Sequence, residues 1–190
     1  WTNGKLALIG PEGAGKTHLA HVWTTANGGL PITTVGALPC CDIPDIDGPV
    51  AIEIHDHLGP ATAKEEEALF HFHNHMAAQN LPLLLIAREP PARWSITLPD
   101  LKSRMSATDV VQIEAPDEAL LSAVLVKLFT DRQLQIEPTL IPYLITHSER
   151  SFAAITRLVA ALDAAALTEK RPITRPLARR VLDKLAKEAR

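Results

Sequence analysis

Residues 10–17 read Gly-Pro-Glu-Gly-Ala-Gly-Lys-Thr, a full match to the phosphate-binding loop pattern G-x-x-x-x-G-K-[ST]. No other stretch restricts the folding of this chain as much, because the pattern works only between a strand and a helix. Before it stands Lys5-Leu6-Ala7-Leu8-Ile9, a short apolar run suited to a buried strand. After it stands His18-Leu19-Ala20-His21-Val22-Trp23, with apolar residues near helical spacing. Glycines in such a loop let backbone N–H groups curl around phosphates, and the helix N-terminus adds partial positive charge. Lys16 is placed to reach the β- and γ-phosphates, and Thr17 to put a hydroxyl on Mg²⁺. The expected cradle is Gly10, Pro11, Glu12, Gly13, Ala14, Gly15, Lys16 and Thr17, with His18 adjoining. A chance loop of small residues would lack these flanks. The expected ligand is a nucleoside di- or triphosphate, ADP or ATP, with Mg²⁺.

At 190 residues the chain can hold one sizeable core, or a core domain with a small appendage. Its 46% hydrophobic and 22% charged residues are ordinary for a soluble globular protein. No apolar run approaches the ~20 residues of a membrane span, so no membrane partner is expected. The start at Trp1, with no basic n-region, gives no secretory signal and implies that upstream residues are missing. In many folds with this loop those residues hold the base. A net charge of −3 argues against coating nucleic acid through bulk electrostatics. Eight of the 19 Lys and Arg nonetheless fall in residues 170–190, read as the solvated face of a terminal helix before a polyanion or partner surface. Cys40 and Cys41 are adjacent and are the two cysteines of the chain. They point to small hydrophobes in a reducing compartment, and hence to a cytoplasmic location.

Two composition regimes follow. Over residues 1–114, β-type runs at Leu6–Ile9, Ile32–Val35, Val50–Ile54, Leu83–Ala87 and Val110–Ile113 alternate with segments long enough for crossover helices. This predicts an α/β core with a five-stranded parallel sheet covered on both faces. Over residues 115–190 strand signals vanish, and four helices are expected at Asp117–Gln133, Pro138–Thr146, Ser151–Thr168 and Thr174–Lys187. The first carries apolar residues at 120, 121, 124, 125 and 128, with Asp117 and Glu118 at its N-terminus. In the last, Pro176 sits in the first turn, where its missing N–H costs least. The reading is an α/β core followed by a small all-α lid.

A phosphate-binding loop needs a neighbouring strand whose end carries acid for Mg²⁺ and water. Val50-Ala51-Ile52-Glu53-Ile54-His55-Asp56 is placed for that role. Where two consecutive acids are usual, the first is His55, a poor ligand for a cation that prefers oxygen. Asp56 stands in the slot of the water-orienting acid and is the remaining metal candidate beside Thr17. Glu53 shares a strand face with His55 and could substitute, although capping an edge or pairing elsewhere is the weightier reading.

The segments Arg88-Glu89-Pro90-Pro91 and Leu98-Pro99-Asp100-Leu101-Lys102-Ser103-Arg104 add a further signature. With the loop and the acid-ended strand, and with Glu149-Arg150-Ser151-Phe152 and Leu167-Thr168-Glu169-Lys170-Arg171-Pro172-Ile173-Thr174 downstream, the chain resembles the DnaA branch of the AAA+ ATPases. Within it the short Hda-like regulators are most similar, over essentially the whole chain. The resemblance implies an AAA+ P-loop NTPase fold. It makes Lys16 and Thr17 the Walker A lysine and metal-binding hydroxyl, and Asp56 a degenerate Walker B acid. It also makes Arg104 an arginine finger acting in trans on a neighbour's γ-phosphate, and Arg150 a sensor 2 arginine touching bound nucleotide. Without the resemblance, Arg104 reads as a surface salt bridge at a helix end and Arg150 as an interhelix ion pair.

The same resemblance implies a regulator of chromosomal replication initiation that promotes hydrolysis of DnaA-bound ATP. Its partners would be the DnaA initiator and the DNA polymerase sliding clamp, with no sequence-specific DNA binding and a homo-oligomer left open. The chain ends at the lid, without the DNA-reading domain of an initiator, which moves the reading from initiator to regulator. His55 in the Walker B pair, and Arg88 or Ala87 at the sensor 1 position, remove parts that hold Mg²⁺ or polarise water. Intrinsic hydrolysis is therefore expected to be very weak, with binding retained. The alternatives are an autonomous AAA+ ATPase, such as a helicase loader or an initiator core, and an adaptor that holds ADP for structure alone. His71, His73 and His75 lie on an expected helix and read as its exposed face, with metal the lesser reading.

Overall fold

The structure is a computed structural model and describes residues 1–30, 33–39, 43, 45–54 and 62–188. Contacts divide the chain into two compact units, Trp1–Glu114 and Ala115–Arg190.

The first unit runs β1 (Lys5–Ile9), α1 (Lys16–Ala26), β2 (Thr33–Thr34), β3 (Val50–Glu53), α2 (Ala63–Ala78), β4 (Leu83–Ala87), α3 (Pro99–Ser106) and β5 (Asp109–Gln112). All pairings are parallel, in the order β2-β3-β4-β1-β5. The expected five strands are corrected to four of full length. β2 is reduced to a two-residue edge segment, because Val35–Ala37 turns into a 3₁₀ helix where the apolar run had suggested more strand.

Strand order explains which helix covers which face. The step from β1 to β2 crosses the sheet in one direction, and the steps to β3, β4 and β5 go the other way. Right-handed crossovers then put α1 on one face and α2 and α3 on the other. The packing agrees. Leu8, Ala51, Leu84 and Ile86 meet Ala20 and Trp23 of α1. Ala7, Ile9, Val50, Ile52, Leu83 and Leu85 meet Leu69, Phe72 and Met76 of α2 and Leu101 and Met105 of α3. Successive residues of β1, β3 and β4 alternate between these clusters, as a pleat covered on both sides requires, whereas β5 at the sheet edge is exposed along its length.

The second unit is helical: α4 (Glu118–Asp131), α5 (Leu140–His147), α6 (Phe152–Glu169) and α7 (Arg175–Glu188). The Asp117 carboxylate accepts from Leu120 N–H at 2.7 Å and starts α4. The Ser151 hydroxyl accepts from Ala154 N–H at 3.1 Å and starts α6. Leu121, Leu125, Phe129, Leu144, Ile155, Leu158 and Leu162 build a core of its own. Among the described residues no helix is long and apolar enough to cross a membrane.

Candidate functional site

Direction reverses at β1, and its carboxyl end is where an open parallel sheet offers a ligand crevice. There Ile9 lies level with Ala87 of β4 and Gln112 of β5. Gly10 follows with φ 151°, and a Cβ on it would come within 2.3 Å of the Ile113 carbonyl oxygen. Only glycine fits this close approach. Gly13 (φ 72°) and Gly15 (φ 88°) turn the chain through left-handed backbone into α1. Gly15 is the N-cap and offers no side-chain cap, so the positive end of α1 faces the loop's interior. Lys16 is buried, and its Nζ donates to the carbonyls of Gly10 and Pro11, each at 2.7 Å.

Ala14 is buried, Gly13 and Thr17 half-buried, and Pro11, Glu12 and His18 exposed. The loop candidates are thus assembled around one helix terminus. Glycine backbone, uncapped N–H groups and a buried ammonium fit the phosphate chain of a nucleotide. When bound, that group supplies a phosphoanhydride for these donors to hold and orient.

Glu53 ends β3, half-buried and level with Ile86. His55 and Asp56 lie outside the described residues. Among those described, no three His, Cys, Asp or Glu side chains converge on a possible metal site. Arg88, directly after β4, forms an ion pair with Glu12 of the loop. The two are 76 residues apart in the chain, so only the β1–β4 pairing brings them together.

Arg104 lies on α3. Its guanidinium pairs with Asp100 Oδ2 at 3.3 Å and lies 5.5 Å from the centroid of Phe70, while its Nε is buried with no hydrogen-bond partner among the described residues. Two buried charges hold the helix that carries it. Before its first turn, the fully buried Glu66 of α2 accepts from Thr97 N–H (2.9 Å), Thr97 Oγ1 (2.8 Å) and Leu98 N–H (2.8 Å). Burial alone would raise the Glu66 pKa, but these bonds prevail and hold it below the usual carboxylate value. At the other end, buried Lys5 donates from Nζ to the Arg104 carbonyl at 2.5 Å and meets His73 Nε2 at 3.2 Å. Burial, then the Arg104 charge, lowers the Lys5 pKa; burial, then the Lys5 charge, lowers that of His73.

The histidine expectation is corrected here. His71 is exposed, but His73 is buried against Lys5, and Nε2 of His75 is buried as well. A spacing of two residues turns a helical side chain through about 200°, so neighbours at that spacing cannot share a face. Lys5, Glu66 and His73 were missed as site residues. A signal was present: Glu66, Leu69, His73 and Met76 form one helical stripe, in which a carboxylate and an imidazole alternate with core residues.

Arg150 belongs to the second unit, where it pairs with Glu118 in the first turn of α4.

Residues 118–182 match the family model described as Hda, lid domain. The chain is 29% identical over 119 residues to an uncharacterized protein of Haemophilus influenzae, which spans 62% of this chain and 52% of that protein. The match thus takes in about half the length of that relative. Domain III of the replication initiation protein DnaA from Thermotoga maritima superposes with a TM-score of 0.74 at 16% identity, covering 95% of this chain and 83% of that one. The Holliday junction branch migration motor RuvB of the same organism gives 0.71 at 17% identity, covering 96% and 62%. A replication initiator DnaA bound to AMPPCP and single-stranded DNA gives 0.64 at 13% identity, covering 88% and 59%. These likenesses show that the chain shares the fold of DnaA domain III and RuvB.

Proposed function

We propose that this DnaA/Hda-like AAA+ protein binds ADP or ATP at its own loop and promotes hydrolysis of ATP bound to DnaA by presenting Arg104 to that nucleotide. On this reading Lys16 and the loop N–H groups hold the phosphates and Thr17 the Mg²⁺. Asp56 contributes only weak hydrolysis, Arg150 reaches the nucleotide from the lid, and ADP is the ligand that persists. The sliding clamp is the expected meeting place, in the cytoplasm. The observation that carries the proposal is the placing of Arg104. Its carbonyl rests on Lys5 at the start of β1, whereas the loop leaves the end of that strand, roughly 13 Å further on. Its guanidinium turns to Asp100 and Phe70. An arginine so placed suits a neighbour's phosphate better than its own.

An arginine finger supplied in trans is worth about 10³–10⁵ in rate, through a planar guanidinium that spreads transition-state charge. The test is turnover of DnaA-bound ATP on clamp-loaded DNA, with and without this protein. Stimulation is expected, with Arg104→Ala losing most of it and Arg104→Lys failing almost as badly, while both variants keep their own nucleotide affinity. Full stimulation by Arg104→Ala leaves the adaptor reading. Rapid hydrolysis by the protein alone, abolished by Asp56→Asn, leaves the autonomous ATPase.

A further inference from the structure

Three basic residues from three elements come together in the first unit: Lys5 at the start of β1, His73 of α2 and Arg104 in the last turn of α3. Lys5 and His73 are both buried. The Lys5 ammonium carries three N–H groups, and among the described residues two acceptors take them. These are the Arg104 carbonyl at 2.5 Å and His73 Nε2 at 3.2 Å. On the other side of the imidazole, Nδ1 lies 3.4 Å from Asn74 Oδ1, an oxygen that only accepts. The ring proton therefore sits on Nδ1, which leaves Nε2 with a lone pair turned to Lys5. One line of hydrogen bonds thus runs from Asn74 through His73 and Lys5 to the backbone of Arg104.

That line holds only while His73 is neutral. A second ring proton would make Nε2 a donor facing an ammonium, in a buried place where two like charges cannot be paired. The charged groups facing His73 are Lys5 of β1 and both Arg104 and Asp100 of α3. Burial, then the Lys5 charge, lowers its pKa, and Arg104 adds to this; the Asn74 bond and Asp100 act the other way without prevailing. The neutral ring is therefore the form held near pH 7, and it is lost as pH falls through a pKa below the usual imidazole value.

We propose that His73, acting through Lys5, is a positioning residue for Arg104. The neutral ring keeps the ammonium on the Arg104 carbonyl and so fixes the last turn of α3, and the protonated ring releases it. The inference rests on the reading of Arg104 as a group presented to a neighbour's nucleotide, and it makes that presentation weaken in acid.

Stimulation of DnaA-bound ATP turnover, measured from about pH 7.5 to about pH 5 for the wild type and for His73→Gln, tests it. Gln Oε1 accepts from Lys5 throughout that range, and the ratio of the two proteins cancels the pH dependence of DnaA itself. Near neutrality they should agree within about twofold. One unit below the His73 pKa only about a tenth of the rings are neutral, so the ratio should fall about five- to tenfold in acid. His73→Leu, which leaves Lys5 one acceptor, should lose about tenfold even near neutrality while keeping its own ADP affinity. Proton uptake by the ring is followed by ¹H–¹⁵N NMR, together with the Arg104 amide and Nε–H signals. Those signals should move with the His73 titration in the wild type and stay in place in His73→Gln. A fixed ratio or fixed Arg104 signals while the ring takes up its proton overturns the proposal, as does a ring that stays neutral down to about pH 5. Full stimulation by folded His73→Leu overturns it too; if that variant does not fold, the His73→Gln profiles decide. Absence of wild-type stimulation at every pH is a different failure: it removes the reading of Arg104 above, and the NMR titration then decides alone whether His73 positions this residue.

Discussion

Lys16 is a buried ammonium held by two carbonyls of its own loop, both at 2.7 Å. A buried cation is tolerated only when its protons are accepted, and here the acceptors are the residues whose N–H groups and glycines shape the cradle. The side chain therefore both stiffens the loop and offers charge to a phosphate. Lys16→Ala removes a charge-assisted contact of about 1.5–3 kcal/mol. ADP and ATP affinities should fall by about one to two decades in calorimetry. Equal affinity in variant and wild type would make the loop decorative. The residue types of this loop were legible in the sequence because its chemistry is local. The Glu12–Arg88 pair was not, because nothing near either residue in the chain reveals the other.

At the scale of elements, α3 shows what an isolated segment does not disclose. Its N-cap is Leu98, which makes no side-chain hydrogen bond, and Pro99 opens the helix. The acid that serves its N-terminus comes from α2, through bonds to residues 31 and 32 positions away. The cation at its last turn comes from β1, 99 positions away. Acid before the N-terminus and cation at the C-terminal carbonyls both match the helix dipole. Glu66→Ala would strand two backbone N–H groups and a hydroxyl, costing at least about 2 kcal/mol in urea unfolding. Glu66→Gln keeps the shape and one acceptor and should cost less.

The acid dependence has a definite sign. Because the folded pKa of Glu66 lies below its usual value, its contribution is present above the ordinary carboxylate range. It is lost as pH falls through the lowered pKa. Wild-type stability should therefore drop more steeply than that of Glu66→Gln on acidification below about pH 4. Parallel pH profiles for the two proteins would show that Glu66 is not the charged anchor of α3.

Over the whole molecule, two units fold around separate cores, and a ligand of the native state stabilises by mass action whatever it touches. ADP at a hundredfold excess over its Kd should add about 2.7 kcal/mol. For a chain of this size that raises Tm by about 5–10 °C in a thermal melt. Lys16→Ala should show little of this shift at the same ADP concentration, and an equal shift in both proteins would place the ligand elsewhere.

The sequence by itself determined the alternation of strands and helices in residues 1–114, the four helices that follow, and the glycine-rich loop between β1 and α1. Each of these rests on interactions within a few residues: period-2 and period-3.6 burial, caps such as Asp117 and Ser151, and glycines at turns. The tertiary structure alone decided that β2 would shrink to Thr33–Thr34, and that His73 would be buried with Lys5. It alone decided that Glu66 would anchor α3 and that Arg88 would meet Glu12. These depend on strand order and crossover hand, which bring together residues that share no local pattern. For Lys5, Glu66 and His73 the energies come from desolvated charges and polar groups finding partners across the fold, and such partners exist only once the sheet has formed.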